Sequence, residues 1–158
     1  MQLKVGETTY AWFVFVHLVG VTGFLLAHGV AVGVALKIHS ERSPDRVRAL
    51  LELSRVSNLF MYAATVPLLA GGIFAGFDGG WWDEGWIWTS IGVFVGMTAG
   101  ALVVARPYYR RVRAALVQRP ASADELVRLL NAPQPLAIAA MGLAGLGVIL
   151  WLMVLKPF

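Results

Sequence analysis

Apolar residues along this chain come in long blocks and not at alternating positions or on one helical face. Four stretches contain no Asp, Glu, Lys or Arg: Ala11–Leu36, Val56–Phe77, Gly85–Ala105 and Leu129–Leu155, the last continuously apolar from Leu136. Each meets the roughly 20 residues that a helix rising about 1.5 Å per residue needs to cross a bilayer core. The pattern predicts an all-α, polytopic membrane protein, an up-down bundle of four transmembrane helices forming one domain over residues 1–158. The spans are expected near 10–37, 56–77, 86–106 and 135–155. The first block lacks a basic segment before it and a small-residue cleavage pattern after it, as a retained span would and a signal peptide would not.

Between the blocks, charge is distributed unevenly. Segment 37–55 carries Lys37, Arg42, Arg46, Arg48 and Arg55, and segment 106–128 carries Arg106, Arg110, Arg111, Arg113, Arg119 and Arg128. These are 11 of the 13 basic residues, whereas the other side holds Lys4 and Lys156 against Glu7, Asp78, Asp83 and Glu84. Lys and Arg in short loops are retained on the cytoplasmic side. Connections 38–55 and 106–134 are therefore expected inside, and the short loop 78–85 and both termini outside. The expected location is the cytoplasmic membrane of a bacterium, with anionic headgroups facing the basic connections. Trp81, Trp82, Trp86 and Trp88 around the outer loop suit the headgroup level, as an interfacial belt.

The inner connections are long enough for further helix. Val47, Leu50, Leu51 and Leu53 recur among charges after Pro44, predicting a short amphipathic helix that leads into the second span. The stretches beginning at Ser43 and Ser122, each Ser-x-Asp followed by an apolar-periodic run, align without a gap at an offset of 79 residues. That is the pattern of two related helical halves, and equally of two N-capped helices.

Composition narrows the function. With 58% hydrophobic and 14% charged residues and a mean hydropathy of +0.71, the chain is far from the roughly 45–50% and 25% of soluble domains. The absence of cysteine excludes disulfides, thiolate metal sites, iron–sulfur clusters and thioether-linked haem. No acidic residue lies inside a span, so a carboxylate-driven transporter lacks its relay. No P-loop, G-x-S-x-G, H-E-x-x-H or dinucleotide fingerprint occurs, and the basic segments call for lipid and not nucleic acid. Small residues recur at four-residue spacing, as Gly23, Ala27, Ala31 and Ala35 in the first span and Gly92, Gly96 and Gly100 in the third. Gly72 with Gly76 and Ala140 with Ala144 continue the theme, which predicts close helix pairs within the chain or in a homodimer. Pro67 is expected to kink the second span.

The polar side chains that stand out at membrane depth are His17 and His28 in the first span. Ionisable groups there are costly and mark functional sites. Their spacing of 11 residues is close to three turns, so both project from one stripe with Val21 and Phe24, roughly 16 Å apart along the axis. They cannot clamp one porphyrin or share one metal. Each could ligate its own haem b or copper ion, with methionine as a second ligand: Met153 by vertical register for His17, and Met61 or Met141 for His28. The competing role is an interhelical hydrogen bond to Thr65, Thr98, Tyr62 or a backbone carbonyl, with no cofactor at all. His39, among charges, is expected to be solvated.

The segment Val16-His-Leu-Val-Gly-Val-Thr-Gly-Phe-Leu opening a four-span chain, with His17, Gly20 and a Trp-rich start to the third span, resembles a bacterial family of uncharacterised four-span predicted integral membrane proteins. It is more loosely similar to the membrane domain of copper-resistance protein D. That resemblance implies metal or haem handling in the membrane, with His17 as the position carried over. The chain lacks that family's larger span count. The expected function is a haem- or copper-binding bundle for electron transfer or metal handling. Its alternative is a non-catalytic accessory or assembly subunit of a larger membrane complex. An aromatic outer mouth for small molecules at Trp81, Trp82 and Trp86 is a third.

Overall fold

The computed structural model of the chain describes residues 5–117 and 123–158; Lys4, Arg119 and Ser122, which carry part of the charge and repeat patterns, lie outside them. It is built of helices: α1 (Val5–Ser40), α2 (Pro44–Gly79), α3 (Gly85–Gly100), α4 (Arg106–Val117), α5 (Ala123–Leu130) and α6 (Gln134–Leu155). Four candidate spans, Thr8–Ser40, Pro44–Gly79, Gly85–Leu116 and Glu125–Leu155, are long and apolar enough to cross a membrane. The all-α, four-span reading of the apolar blocks holds.

The helices outrun the apolar blocks. Pro44 occupies the first turn of α2, where its missing N–H has no intrahelical acceptor to serve. The segment expected as a short amphipathic helix leading into the span is helical and runs into it without a break, through Pro67, to Gly80 with φ 69°. It does so by changing solvent face by face. Val47, Leu51, Ser54 and Ser57 are buried at helical spacing while Arg46, Arg48, Glu52 and Arg55 point outward.

A second departure occurs in the third rod. Pro107 has no N–H to donate, and its ring would press on the carbonyl of the preceding turn of an unbroken α-helix. The five residues ahead of it, Ala101–Ala105, widen into a π segment, with the Arg106 N–H reaching the Ala101 carbonyl. From there α4 continues the rod into the arginine-rich end.

α1 lies along α2 and also against α6, and α6 against α3. α2 approaches the third rod through α4, at the arginine-rich end. The order is thus α2, α1, α6, α3, with a cleft between α2 and the π segment. Two apolar clusters close the ends. At the arginine-rich end Ile38, Val47, Leu51, Tyr108, Val112 and Leu130 pack together from four helices, α1, α2, α4 and α5. At the other end Trp86, Ile87 and Leu152 are enclosed, with Trp81, Trp82 and Met153 packed against them.

α3 and α6 interlock reciprocally. The Met97 sulfur fills the space a side chain at Gly145 would take, and the Met141 Sδ and Cε fill that at Gly100. Within the chain Gly100 of the glycine stripe receives a neighbour, whereas an added Cβ at Gly92 or Gly96 meets nothing within 4 Å.

The joint between α1 and α2 is held by Glu41, 7% exposed. Its Oε1 accepts from the backbone N–H groups of Ser43 (3.0 Å) and Arg42 (2.9 Å), and Arg46 lies 3.9 Å from Oε2. Ser43 itself makes no side-chain cap. Arg42 reaches across to Asn131 Oδ1 at 2.9 Å, tying this joint to the turn that follows α5. The Ser43 and Arg42 N–H bonds, aided by Arg46 and Lys37, hold the Glu41 carboxyl below its usual 4.5. Unfolded chain therefore binds the proton more readily than folded chain, and this contribution is complete above the usual carboxylate value. It fades as pH falls through the lowered folded value. Thermal unfolding in detergent across the carboxylate range is expected to show a steeper acid loss in the wild type than in Glu41→Gln; parallel profiles would remove Glu41 from the account.

Candidate functional site

His17 faces α2. Its Nδ1 lies 2.7 Å from the Leu68 carbonyl oxygen, a distance at which the ring donates. Three glycines make the approach workable. A side chain at Gly20 would run into the backbone of Leu68, one at Gly71 into the backbone of His17, and one at Gly72 into the ring at Nδ1 (2.8 Å). Of the hydrogen-bond partners the sequence offers, the carbonyl is the one used. Thr65 and Thr98 bond back to Met61 and Phe94 in their own helices. With the proton fixed on Nδ1, Nε2 is left as the lone-pair nitrogen, which is the arrangement found in metal-ligating histidines.

His28 is placed differently. Its ring stacks on Phe24 at 6.0 Å and 7°, and Phe24 packs on Phe94 at 5.7 Å. The ring tip inserts into a notch at Gly142 of α6, where Nε2 and Cε1 occupy the space of an added Cβ. Nε2 is buried there without a partner among the described residues. Turning the ring over leaves the tip in the same notch, so His28 as packed does not present Nε2 to a metal.

Beside His28 runs the cleft between α2 and the third rod, a cavity of about 800 Å³. Met61 shares this lining with His28. Met141 is spent on Gly100, and Met153 packs with the tryptophan cluster while His17 turns to α2. The methionines thus serve mainly as fillers of notches, the role their flexibility suits. Among the described residues no group of three or more His, Cys, Asp and Glu is placed to hold a metal ion.

A family model described as predicted integral membrane protein (DUF2269) matches residues 11–157, which takes in all four rods and all three histidines. The chain belongs to the DUF2269 family. No curated protein and no solved structure matches it.

The tryptophan-rich end of this DUF2269 protein is a packed aromatic cap. Trp82 meets Phe77 at 5.1 Å and Trp88 at 5.6 Å, and the Lys156 ammonium lies 4.0 Å over the Trp81 ring. Trp86 is 5% exposed. The rings that suggested a mouth close on one another instead. At the opposite end His39 is half buried, its Nδ1 enclosed without a partner among the described residues, so the expectation of a solvated ring fails.

Two parts of the DUF2269 site escaped sequence reasoning. The first is the pairing of Gly20 with Gly71, one on each helix and off the four-residue stripes; the adjacent glycines Gly71 and Gly72 opposite a histidine span were the available signal. The second is the cleft, which depends on Pro107 widening the turn before it and on Arg55, Arg106 and Arg113 meeting from two rods.

Proposed function

We propose that this membrane protein binds a b-type haem through His17 and passes electrons within the bilayer. The observation that supports it is the hydrogen bond from His17 Nδ1 to the Leu68 carbonyl, which sets the tautomer and leaves Nε2 as a ligand. Haem is favoured over copper by donor arithmetic. A porphyrin already supplies four nitrogens to its iron and asks one or two ligands of the protein, whereas copper needs several from the chain itself. Bound haem would supply one-electron chemistry; the chain would supply the His17 nitrogen, its orientation and an apolar surround. His28, Met141 and Met153 are packing residues in this reading.

The second reading is an accessory subunit in which His17 is only a clamp between α1 and α2. It is favoured by the same bond and by the glycines that close around the ring. His17→Asn separates the two, because the asparagine amide stands close to where Nδ1 stood and can still donate to Leu68, with nothing at the Nε2 position. Protein purified in detergent after expression with ample haem is expected to show a Soret band and sharpened α and β bands on dithionite reduction. His17→Asn should keep the wild-type melting temperature and lose the colour, and His28→Leu should keep the colour. A featureless wild-type spectrum would leave the clamp as the role of His17.

A further inference from the structure

The cleft between α2 and the third rod is a cavity of about 800 Å³ whose two ends differ in chemistry. Its depth is lined by small or aliphatic residues, among them Ala31, Ala35, Leu59, Leu102 and Ala105. Small side chains on α1 and the π segment are what hollow it out. Its other end gathers Arg55, Arg106 and Arg113 with Tyr109 and Asn58, against the single carboxylate of Glu52. Arg113 is steadied by its own bond from Nη2 to the Leu51 carbonyl (3.3 Å). Arg55 lies 3.9 Å from Glu52, at the far limit of an ion pair. The Arg106 guanidinium has no acceptor among the described residues.

Three guanidinium groups from two rods, with an excess of positive charge, match a phosphate better than a zwitterion. Guanidinium recognises phosphate oxygens in pairs and is more weakly hydrated than an ammonium. The wall opposite α2 is the π segment, a distortion that recurs at functional sites. Among the described residues α2 meets the third rod chiefly through α4, so the side of the cleft away from α1 and α6 carries no packed helix. An occupant would therefore enter sideways from the bilayer, head at the arginines and chain along Leu59 and Leu102.

We propose that this cleft is a binding site for an anionic phospholipid of the leaflet at the arginine-rich end, held by Arg55, Arg106 and Arg113 with an acyl chain against the π segment. The site is separate from His17, and colour from that residue neither supports nor weakens it.

Native mass spectrometry of the detergent-solubilised full chain tests it, after exposure to mixed micelles of phosphatidylglycerol or phosphatidylcholine. One phosphatidylglycerol per chain is expected to survive, with phosphatidylcholine lost first. Arg55→Gln and Arg106→Gln should each weaken retention about fivefold, the ratio expected for one cation at an anionic surface. Ala105→Leu, which fills the cleft without touching charge, should also release the lipid. Arg111→Gln, exposed and outside the cleft, should have no effect. Equal retention of the two lipids would overturn the proposal, as would an Arg111→Gln loss matching that of Arg106→Gln. Displacement by inorganic phosphate at concentrations that leave the acyl contacts intact would overturn it too, by assigning the arginines to a soluble anion.

Discussion

Gly71→Leu is expected to prevent α1 and α2 from closing, with a loss of about 3 kcal/mol or more, at the upper end of what overpacking costs. A Cβ at this position meets the backbone nitrogen and Cα of His17 and the carbonyl of Phe13, none of which can rotate aside. The two helices would have to move apart, and the Leu68 bond of His17 would go with them. Gly20 presents the mirror-image problem to the Leu68 backbone. Thermal unfolding in detergent, read by circular dichroism, measures the effect. Gly92→Leu and Gly147→Leu are the controls, because an added Cβ there meets nothing within 4 Å. Equal melting of all three variants would show that the α1–α2 approach does not hold the bundle together.

Leu130→Ala is expected to cost about 2–5 kcal/mol, the range for emptying a fully buried leucine site. Leu130 is 0% exposed and packs with Ile38, Val47, Tyr108 and Val112. Val103→Ala, at a side chain 73% exposed within a candidate span, should change little. The contrast has a physical basis. Within the hydrocarbon, lipid tails solvate a leucine as well as another helix does, so burial brings packing but little hydrophobic gain. At the arginine-rich end the alternative to burial is water, and the full hydrophobic term returns. Denaturant titration of the two variants would measure the difference. A Val103→Ala loss as large as that of Leu130→Ala would contradict the division of the molecule into these two regimes.

The sequence made the rods legible because a bilayer imposes length and apolarity together, and Ala11–Leu36 or Val56–Phe77 satisfy both without reference to any partner. What lies beyond the apolar block was harder to read. Residues 44–55 look like a connection by hydropathy, yet Val47, Leu51 and Ser54 keep helical register under a change of solvent. His17 and His28 were visible as polar groups at depth. Their different surroundings were not, since one meets a carbonyl and the other a glycine notch on helices far away in sequence. The same holds for the stripe Gly92, Gly96 and Gly100. Spacing places the three on one face but does not say which of them meets a methionine. Pairing of α3 with α6 decides that.

The reciprocal seating of Met97 on Gly145 and Met141 on Gly100 has a chemical consequence. Each thioether fits because it is slender and apolar, and each glycine has no spare volume to offer. Oxidation to the sulfoxide adds an oxygen and a dipole to a sulfur lodged in a glycine notch of the facing helix. Peroxide damage at either residue would thus act as a wedge between α3 and α6, and reductive repair would be required before the two helices could close again.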